Sequence, residues 1–211
     1  MENSVSFDMI TRRVLVTGFA PFGGIETNPS WDGVEAINTE EVEMKYNIEL
    51  TKEKIDVRYN HVDESVPKLW EELQPDLTIH VGVSDQTECF QLETQAGKSG
   101  YVNGDLDGEC PADFQCTADG PEQIATGLNV DVVCKEFNME PPAEGLHANM
   151  SYCAGKFLCE YLYYTSLCRD PSKTLFVHVP LYQYSPEQIA VGLERILQIC
   201  LRQLQSRDLY Y

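Results

Sequence analysis

Short apolar runs alternate with longer amphipathic stretches along almost the whole chain, and this alternation constrains the fold more than any other feature. Three runs have the composition of buried strands: Arg13–Thr17 with VLV at its centre, Leu77–Val83 (LTIHVGV) and Thr174–Pro180 (TLFVHVP). The stretches between them carry apolar residues at helical spacing. Strands that alternate with helices are typical of a mostly parallel sheet covered by helices on both faces. We therefore predict an α/β fold, arranged as a three-layer sandwich.

Capping signals and apolar periodicity predict where the helices begin. Asn28 followed by Pro29 predicts one helix start, and Ser185 with Pro186 and Gln188 predicts another through a capping box. Apolar spacing alone predicts the remaining elements. These are helices over Ser65–Leu73, from Asp119 to Val133 and over Ser151–Tyr164, and strands over Ile48–Val57 and Leu146–Asn149.

Length and charge narrow the possible functions. The 211 residues contain no linker rich in proline or serine, so we predict one domain spanning residues 1–211, with residues 1–11 as a disordered tail. The formal net charge of −19 argues against binding to nucleic acid or to an anionic membrane, because both require a basic surface. No apolar run of roughly 18 residues and no apolar secretory segment occurs, so we predict a cytoplasmic protein without a membrane-spanning helix.

The eight cysteines do not predict a disulfide framework or a metal site. The chain is long enough to bury a core without disulfides, and the absence of a CxxC pair disfavours zinc and thioredoxin-like chemistry. Cys110 and Cys116 lie in one loop, where they either form a disulfide or remain free thiols. Residues 103–108 resemble the first half of a calcium loop, but Phe114 stands where such a loop carries glutamate. We predict no metal and no cofactor.

A candidate nucleophile lies in the predicted helix Ser151–Tyr164. The apolar stripe of this helix faces the core, and Cys159 falls on the flank of that stripe, whereas Cys153 lies nearer the start of the same helix. The Cys159 side chain leans toward the preceding turn, where Gly155 is predicted to leave open space beside the sulfur. A buried cysteine is more often a small apolar residue than a nucleophile, so a catalytic role requires a partner.

The strand that follows supplies such a partner. His178 lies near the C-terminal end of Thr174–Pro180, and this end of a strand is where sites form in α/β proteins. A histidine beside a cysteine makes the thiol a nucleophile at neutral pH. His147 is the rival of His178 and ranks behind it. His80 is expected to be structural because it lies in the middle of a strand, and His61 is expected to be exposed before a helix.

A glycine-rich loop, Gly18–Gly24, follows the first predicted strand. It is not a nucleotide site, because a P-loop needs lysine and then serine or threonine where Gly24 and Ile25 stand, and the GxGxxG spacing is absent. Phe19 and Phe22 within the loop predict either a flat apolar pocket or a plug for the core.

Several short motifs occur in a fixed order from Arg13 to Leu204. They are VLVTGFAPFGG followed by NPSW, then HVGVS, FQLE and DGPE, and finally AGKFLCEYLYYTSL and FVHVP. In this order they resemble the motifs of the pyroglutamyl peptidase I family, whose members are cytosolic cysteine peptidases that remove an N-terminal pyroglutamyl residue from peptides. The resemblance implies a phosphorylase/hydrolase-like α/β sandwich, a pyroglutamyl peptide as substrate, and no metal or cofactor.

The resemblance also implies roles for particular residues. Cys159 corresponds to the family's nucleophile, His178 to its histidine, and Glu93, the last residue of FQLE, to its catalytic glutamate. Phe19 and Phe22 correspond to its aromatic pocket. Glu93 either orients His178 or contacts the substrate, and both roles remain open at this point.

Two departures separate the chain from microbial members of that family. Thr94 stands where they carry arginine, and Val83 and Ser84 stand where they carry glutamine in the turn after the central strand. Animal-type members share the turn departure, so it does not predict loss of activity. The microbial tetramer is not carried over, and we expect a monomer, with a homo-oligomer as the alternative.

Two other functions remain as alternatives. One is a catalytically inactive relative that acts as a peptide-binding module, with the irregular segment Lys98–Asp119 closing the site. The three filled catalytic positions argue against it. The other is a nucleoside phosphorylase, which would need a phosphate site, and the sequence shows no basic cluster for one.

Overall fold

A six-stranded sheet lies at the centre of the structure, a computed structural model that describes residues 11–24 and 26–208. The predicted tail, residues 1–11, lies outside the described residues except for Thr11. The strands are β1 (Arg12–Phe19), β2 (Ile48–Ile55), β3 (Leu77–Ser84), β4 (Phe90–Glu93), β5 (Gln95–Gly97), β6 (Gln123–Ala125), β7 (Ala148–Ser151) and β8 (Thr174–Pro180). Strands β5 and β6 form a separate antiparallel pair.

The strand order across the main sheet is β2-β1-β3-β8-β4-β7. Strands β1, β2, β3 and β8 run parallel, β4 runs antiparallel to β8, and β7 runs parallel to β4. The predicted mostly parallel sheet is therefore confirmed. The antiparallel neighbour places the C-terminal residue of β4 beside β8, all of whose residues are buried.

Helices cover both faces of the sheet, which confirms the predicted three-layer arrangement. They are α1 (Pro29–Glu35), α2 (Thr39–Tyr46), α3 (Tyr59–Leu73), α4 (Val130–Met139), α5 (Leu158–Leu167) and α6 (Pro186–Asp208). Helices α1, α4 and α6 pack on one face, and α3 and α5 on the other. The division follows side-chain alternation, since Val177 of β8 belongs to the first core and Phe176 to the second. No helix in the described part of the chain has the length and apolar character needed to cross a bilayer.

Both predicted capping sites are confirmed. The Asn28 side chain accepts a hydrogen bond from the Ser30 N–H at the start of α1. At the start of α6, Ser185 Oγ accepts from the Gln188 N–H, and the Gln188 side chain accepts from the Ser185 N–H. Local sequence predicts these starts because donor and acceptor lie within one turn.

The predicted start of α3 is wrong. The helix begins at Tyr59 rather than Ser65, since the carboxylate of Asp105, in a distant loop, accepts the Tyr59 backbone N–H at 3.0 Å. His61 therefore lies within the helix and is half-buried rather than exposed before it.

The predicted start of α4 near Asp119 is also wrong. Residues 123–125 pair with β5 as strand β6, and the helix begins only at Val130, where the Asn129 side chain accepts the Val132 N–H. Apolar residues at helical spacing did not reveal this boundary because strand pairing between distant segments outweighs local propensity.

The helix predicted over Ser151–Tyr164 is shorter than expected. Ser151 ends β7, which is displaced from the predicted Leu146–Asn149, and α5 begins at Leu158. Gly155 adopts a φ of +87°, a left-handed conformation that interrupts a helix. Cys153 consequently lies in an exposed loop.

His80 forms a buried polar link between three elements. Its Nδ1 lies 2.7 Å from Thr17 Oγ1 on β1, and its Nε2 lies 2.6 Å from Ser166 Oγ on α5. Ser166 Oγ also accepts a hydrogen bond from Trp70 Nε1 on α3. Burial lowers the pKa of His80 to about 3, so its imidazole is neutral. These contacts agree with the structural role predicted for this residue.

The free energy of unfolding is expected to depend on His80 as the pH falls. The unfolded chain binds a proton near the ordinary pKa of 6.5 and the folded protein does not, so the contribution of His80 is complete above 6.5 and is lost toward pH 3. The loss is about 1.4 kcal/mol per pH unit. Denaturant unfolding at about pH 7 and about pH 5 should show the stability gap between wild type and His80→Gln narrowing by about 2 kcal/mol. An equal gap at both values contradicts a neutral buried imidazole.

Candidate active site

The structure brings three of the predicted site residues together beside the C-terminal end of β8. His178 lies near that end, and Glu93 is the last residue of the neighbouring strand β4. Cys159 is the second residue of α5, which packs on the face of the sheet that carries Phe176 of β8. The catalytic roles of these residues stay predictions, but their proximity is a feature of the fold.

A buried carboxylate holds the imidazole of His178. Glu93 Oε1 lies 2.7 Å from His178 Nδ1, and the two side chains are only 1% and 7% exposed. This contact leaves the ring's Nε2 free of Glu93, and Cys159 lies near enough to the ring to raise the pKa of His178. Glu93 Oε2 is buried and has no hydrogen-bond partner among the described residues. His178 is therefore the one described residue that forms a hydrogen bond with the Glu93 carboxylate.

Opposing effects act on the pKa of His178. Burial alone favours the neutral ring and lowers the pKa, but hydrogen bonding and charge from Cys159, followed by those from Glu93, raise it to about 10. The imidazole is therefore protonated at neutral pH when Cys159 is a thiolate. A thiolate–imidazolium pair is the reactive form of a cysteine nucleophile.

The Cys159 thiol packs against the backbone of β3. A Cβ atom on Gly82 would lie 2.8 Å from Cys159 Sγ and 2.8 Å from Phe176 Cζ, so glycine leaves the room that the sulfur occupies. The prediction that Gly155 opens this space is wrong, because a Cβ atom on Gly155 would meet nothing within 4 Å. The glycine that leaves this space is Gly82 of the HVGVS motif. Its role could not be predicted from the sequence, because it depends on the Cys159 side chain that α5 brings to β3.

Cys159 also lies in a helix turn whose backbone N–H groups lack acceptors in a preceding turn. The N-cap residue, Phe157, makes no side-chain capping bond. The Tyr161 N–H donates to the Phe157 carbonyl at 3.0 Å and closes the turn. Uncapped N–H groups at the positive end of a helix stabilise an anion, whether a thiolate or an oxyanion.

A small apolar pocket of about 80 Å³ opens beside the sulfur. Its walls include both predicted pocket residues, so the loop at Phe19 and Phe22 forms a pocket and does not only plug the core. The lining consists of Phe19, Phe22, Asn28, Val57, Val83, Phe157, Leu158 and Cys159. None of these side chains is a carboxylate or a basic group, which suits a flat, neutral ligand group.

Sequence reasoning missed part of this lining. Asn28 is predicted only as a helix cap, yet it also donates from Nδ2 to the Ala20 carbonyl and accepts from Ser30 Oγ. Ser30 Oγ accepts the Phe19 N–H, so these bonds brace the phenylalanine loop against α1. Val57 carried no signal, because only the fold brings the segment that follows β2 to the pocket.

The other candidates lie elsewhere or are not arranged for chemistry. His147, the rival of His178, is exposed just before β7. Cys110 and Cys116 are free thiols, the first exposed and the second buried. Within residues 11–24 and 26–208, no group of three or more histidine, cysteine, aspartate or glutamate residues is placed to hold a metal ion.

Comparison with known proteins agrees with this geometry. A family model described as pyroglutamyl peptidase matches residues 12–203. Pyroglutamyl-peptidase 1 of Rattus norvegicus is 34% identical over 199 residues, which cover 93% of each chain. The solved pyroglutamyl peptidase I of Bacillus amyloliquefaciens superposes with a TM-score of 0.74 at 26% identity, covering 88% of this chain and 94% of that one. The pyrrolidone carboxyl peptidase of Thermococcus litoralis shares the fold, with a TM-score of 0.76 at 23% identity over 93% and 96% of the two chains. The predicted resemblance is confirmed, and the chain belongs to the pyroglutamyl peptidase family.

Proposed function

We propose that this protein is a cysteine peptidase that hydrolyses the N-terminal pyroglutamyl residue from peptides. The observation that carries the proposal is the Glu93–His178 hydrogen bond with Cys159 close enough to raise the pKa of His178, beside an apolar pocket of about 80 Å³. A pyroglutamyl residue is a flat, neutral lactam without a free amine. Its site therefore needs apolar walls and has no use for the acidic anchor with which an ordinary aminopeptidase binds an ammonium group.

The reaction proceeds through a thioester. The Cys159 thiolate attacks the pyroglutamyl carbonyl carbon and forms a C–S bond, while the carbonyl oxygen becomes an oxyanion. His178 gives its Nε2 proton to the leaving amine as the C–N bond breaks. The neutral imidazole then takes a proton from water, which attacks the thioester and releases free pyroglutamate and the thiolate. Glu93 keeps the ring oriented through Nδ1.

The N–H groups in the first turn of α5 are the proposed donors to the oxyanion. Two N–H groups of the glycine-rich loop are not available for this purpose. The Phe19 N–H already donates to Ser30 Oγ, and the Ala20 N–H donates to the Ile55 carbonyl. Both are therefore committed to holding the loop in place.

We also propose a cytoplasmic location and a monomeric enzyme, with a homo-oligomer as the alternative. The eight free cysteines fit a reducing compartment. The net charge of −19 disfavours nucleic acid as a partner, so the peptide substrate is the partner that the proposal requires. No cofactor or metal enters the proposed reaction.

Release of the fluorophore from pyroglutamyl-aminomethylcoumarin tests the function. Turnover that disappears after thiol alkylation supports a cysteine peptidase. Binding of a pyroglutamyl peptide without release would instead identify the inactive peptide-binding relative. Phosphate-dependent cleavage of a nucleoside would identify the phosphorylase.

Phe22→Ala is expected to raise KM more than it lowers kcat, because a ring wall contacts the ground state and the transition state alike. Phe19 forms another wall of the pocket, so the double variant should be worse than either single one. Phe114→Ala is a matched control, since Phe114 is half-exposed and does not line the pocket.

Prolyl and glutaminyl substrates should be cleaved very poorly, because neither presents a lactam. Similar rates on prolyl and pyroglutamyl substrates would show that this pocket does not select a lactam.

A further inference from the structure

The turn that carries Cys159 has few local restraints. Its N-cap residue, Phe157, makes no capping bond, and Gly155 just before it has a left-handed φ of +87°. Yet the proposed reaction requires the sulfur and the first-turn N–H groups to keep their positions, since a displacement of about 1 Å can cost about 100-fold in rate. A contact with a segment outside the turn must therefore hold it.

Glu160, the residue after the nucleophile, supplies such a restraint. Its side chain is 5% exposed, and its Oε1 accepts the Gly97 N–H at 2.8 Å and the Lys156 Nζ at 2.5 Å. Oε2 is buried and makes no hydrogen bond within the described ranges. A carboxylate is costly to bury unless it is paired, so this one depends on Lys156 and on the β5 backbone.

Lys156 is packed against the same segment as Glu160. A Cβ atom on Gly97 would lie 2.9 Å from Lys156 Nζ, and one on Gly100 would lie 3.2 Å from Lys156 Cδ, so both glycines leave room for this side chain. The ammonium also lies 5.7 Å from the centre of the Tyr101 ring. The lysine therefore has a fitted position even though its side chain is 45% exposed.

Strand β5, which contacts Lys156 and Glu160, follows directly on β4, the strand whose Glu93 bonds His178. Strand β5 begins two residues after Glu93, and between them Thr94 donates from both N–H and Oγ1 to the Ser151 carbonyl. One stretch of backbone thus orients the imidazole through Glu93 and holds the Cys159 turn through Gly97.

We propose that Lys156 and Glu160 are positioning residues that fix the Cys159 turn against β5, at the distance from His178 that the reaction needs. The inference rests on the proposed cysteine-peptidase function. It gives a reason for a basic residue before the cysteine and an acidic residue after it, which the nucleophile itself does not require.

Two measurements on the same variants test the proposal: steady-state hydrolysis of pyroglutamyl-aminomethylcoumarin, and the rate of Cys159 alkylation by iodoacetamide followed by mass spectrometry. Lys156→Met and Glu160→Gln should each lower kcat by about 10-fold or more and slow alkylation, with KM changed less than about threefold. The double variant should be little worse than the poorer single one, because the two residues act as a unit. Lys156→Arg should restore most of kcat.

Lys135→Met is the matched control, because Lys135 forms an ion pair of the same i,i+4 spacing with Asp131 on the surface of α4. Its kcat should equal that of the wild type. The proposal is overturned if Lys156→Met and Glu160→Gln both keep kcat within about twofold of wild type. It is also overturned if their losses of kcat merely follow a loss of folded protein in thermal melts. A wild-type protein that releases no fluorophore would count against the proposed function instead. The alkylation rates would then test by themselves whether Lys156 and Glu160 position the Cys159 turn.

Discussion

Cys159→Ser is expected to abolish turnover, with kcat lowered by at least about 1,000-fold, while the fold is retained. The change replaces sulfur by a smaller oxygen, so the space that Gly82 leaves on β3 still accommodates the side chain. A serine hydroxyl is a far weaker nucleophile than a thiol beside the same histidine. Hydrolysis of pyroglutamyl-aminomethylcoumarin measures the loss, and a thermal melt checks that the variant is folded.

Cys153→Ser provides the control for this result. Cys153 lies close in sequence but is exposed in the loop between β7 and α5. We expect its activity to match the wild type. If Cys159→Ser remained active and Cys153→Ser did not, the nucleophile would be Cys153 and the proposed mechanism would have no basis.

His178→Ala is expected to lower kcat by at least about 100-fold, the scale for loss of a general acid and base. The same change should slow alkylation of Cys159 by iodoacetamide, because the thiol loses the base that can take its proton. This second readout separates a chemical role from a purely structural one, since His178 is buried and its removal leaves Glu93 without a partner.

His147→Ala should change kcat much less, because His147 is exposed and lies before β7. Both variants should be compared at temperatures well below their melting points. Equal losses of kcat in the two variants, with unchanged melting temperatures, would leave the choice of His178 over His147 unsupported.

Local sequence predicted those features whose interacting groups lie within one turn or one strand. The start of α1 at Asn28 and the capping box at Ser185 and Gln188 are of this kind. The buried strands were predictable for a similar reason. A strand buried on both faces needs apolar residues at nearly every position, and a run such as TLFVHVP shows this directly in the sequence. The order of strands and helices, and with it the α/β class, followed from this local information.

Boundaries set by distant contacts were not predictable in this way. The early start of α3 depends on the Asp105 carboxylate, and the late start of α4 depends on the pairing of β6 with β5. Both partners are remote in sequence, so neither contact leaves a periodic or capping signal. Gly155 illustrates the same limit, because its left-handed φ replaced a predicted helical turn with a loop.

The sequence by itself determined which residues of this protein are available for chemistry, through the motifs that carry Cys159, His178 and Glu93. Only the tertiary structure decided how they meet. Strand β4 runs antiparallel beside β8 and so brings Glu93 to His178, and α5 places the Cys159 sulfur beside β3, where Gly82 leaves space for it. The physical reason is that a hydrogen bond or a close packing contact depends on distances of a few tenths of an ångström, and residues far apart in the chain acquire such distances only when the layers of the fold pack together.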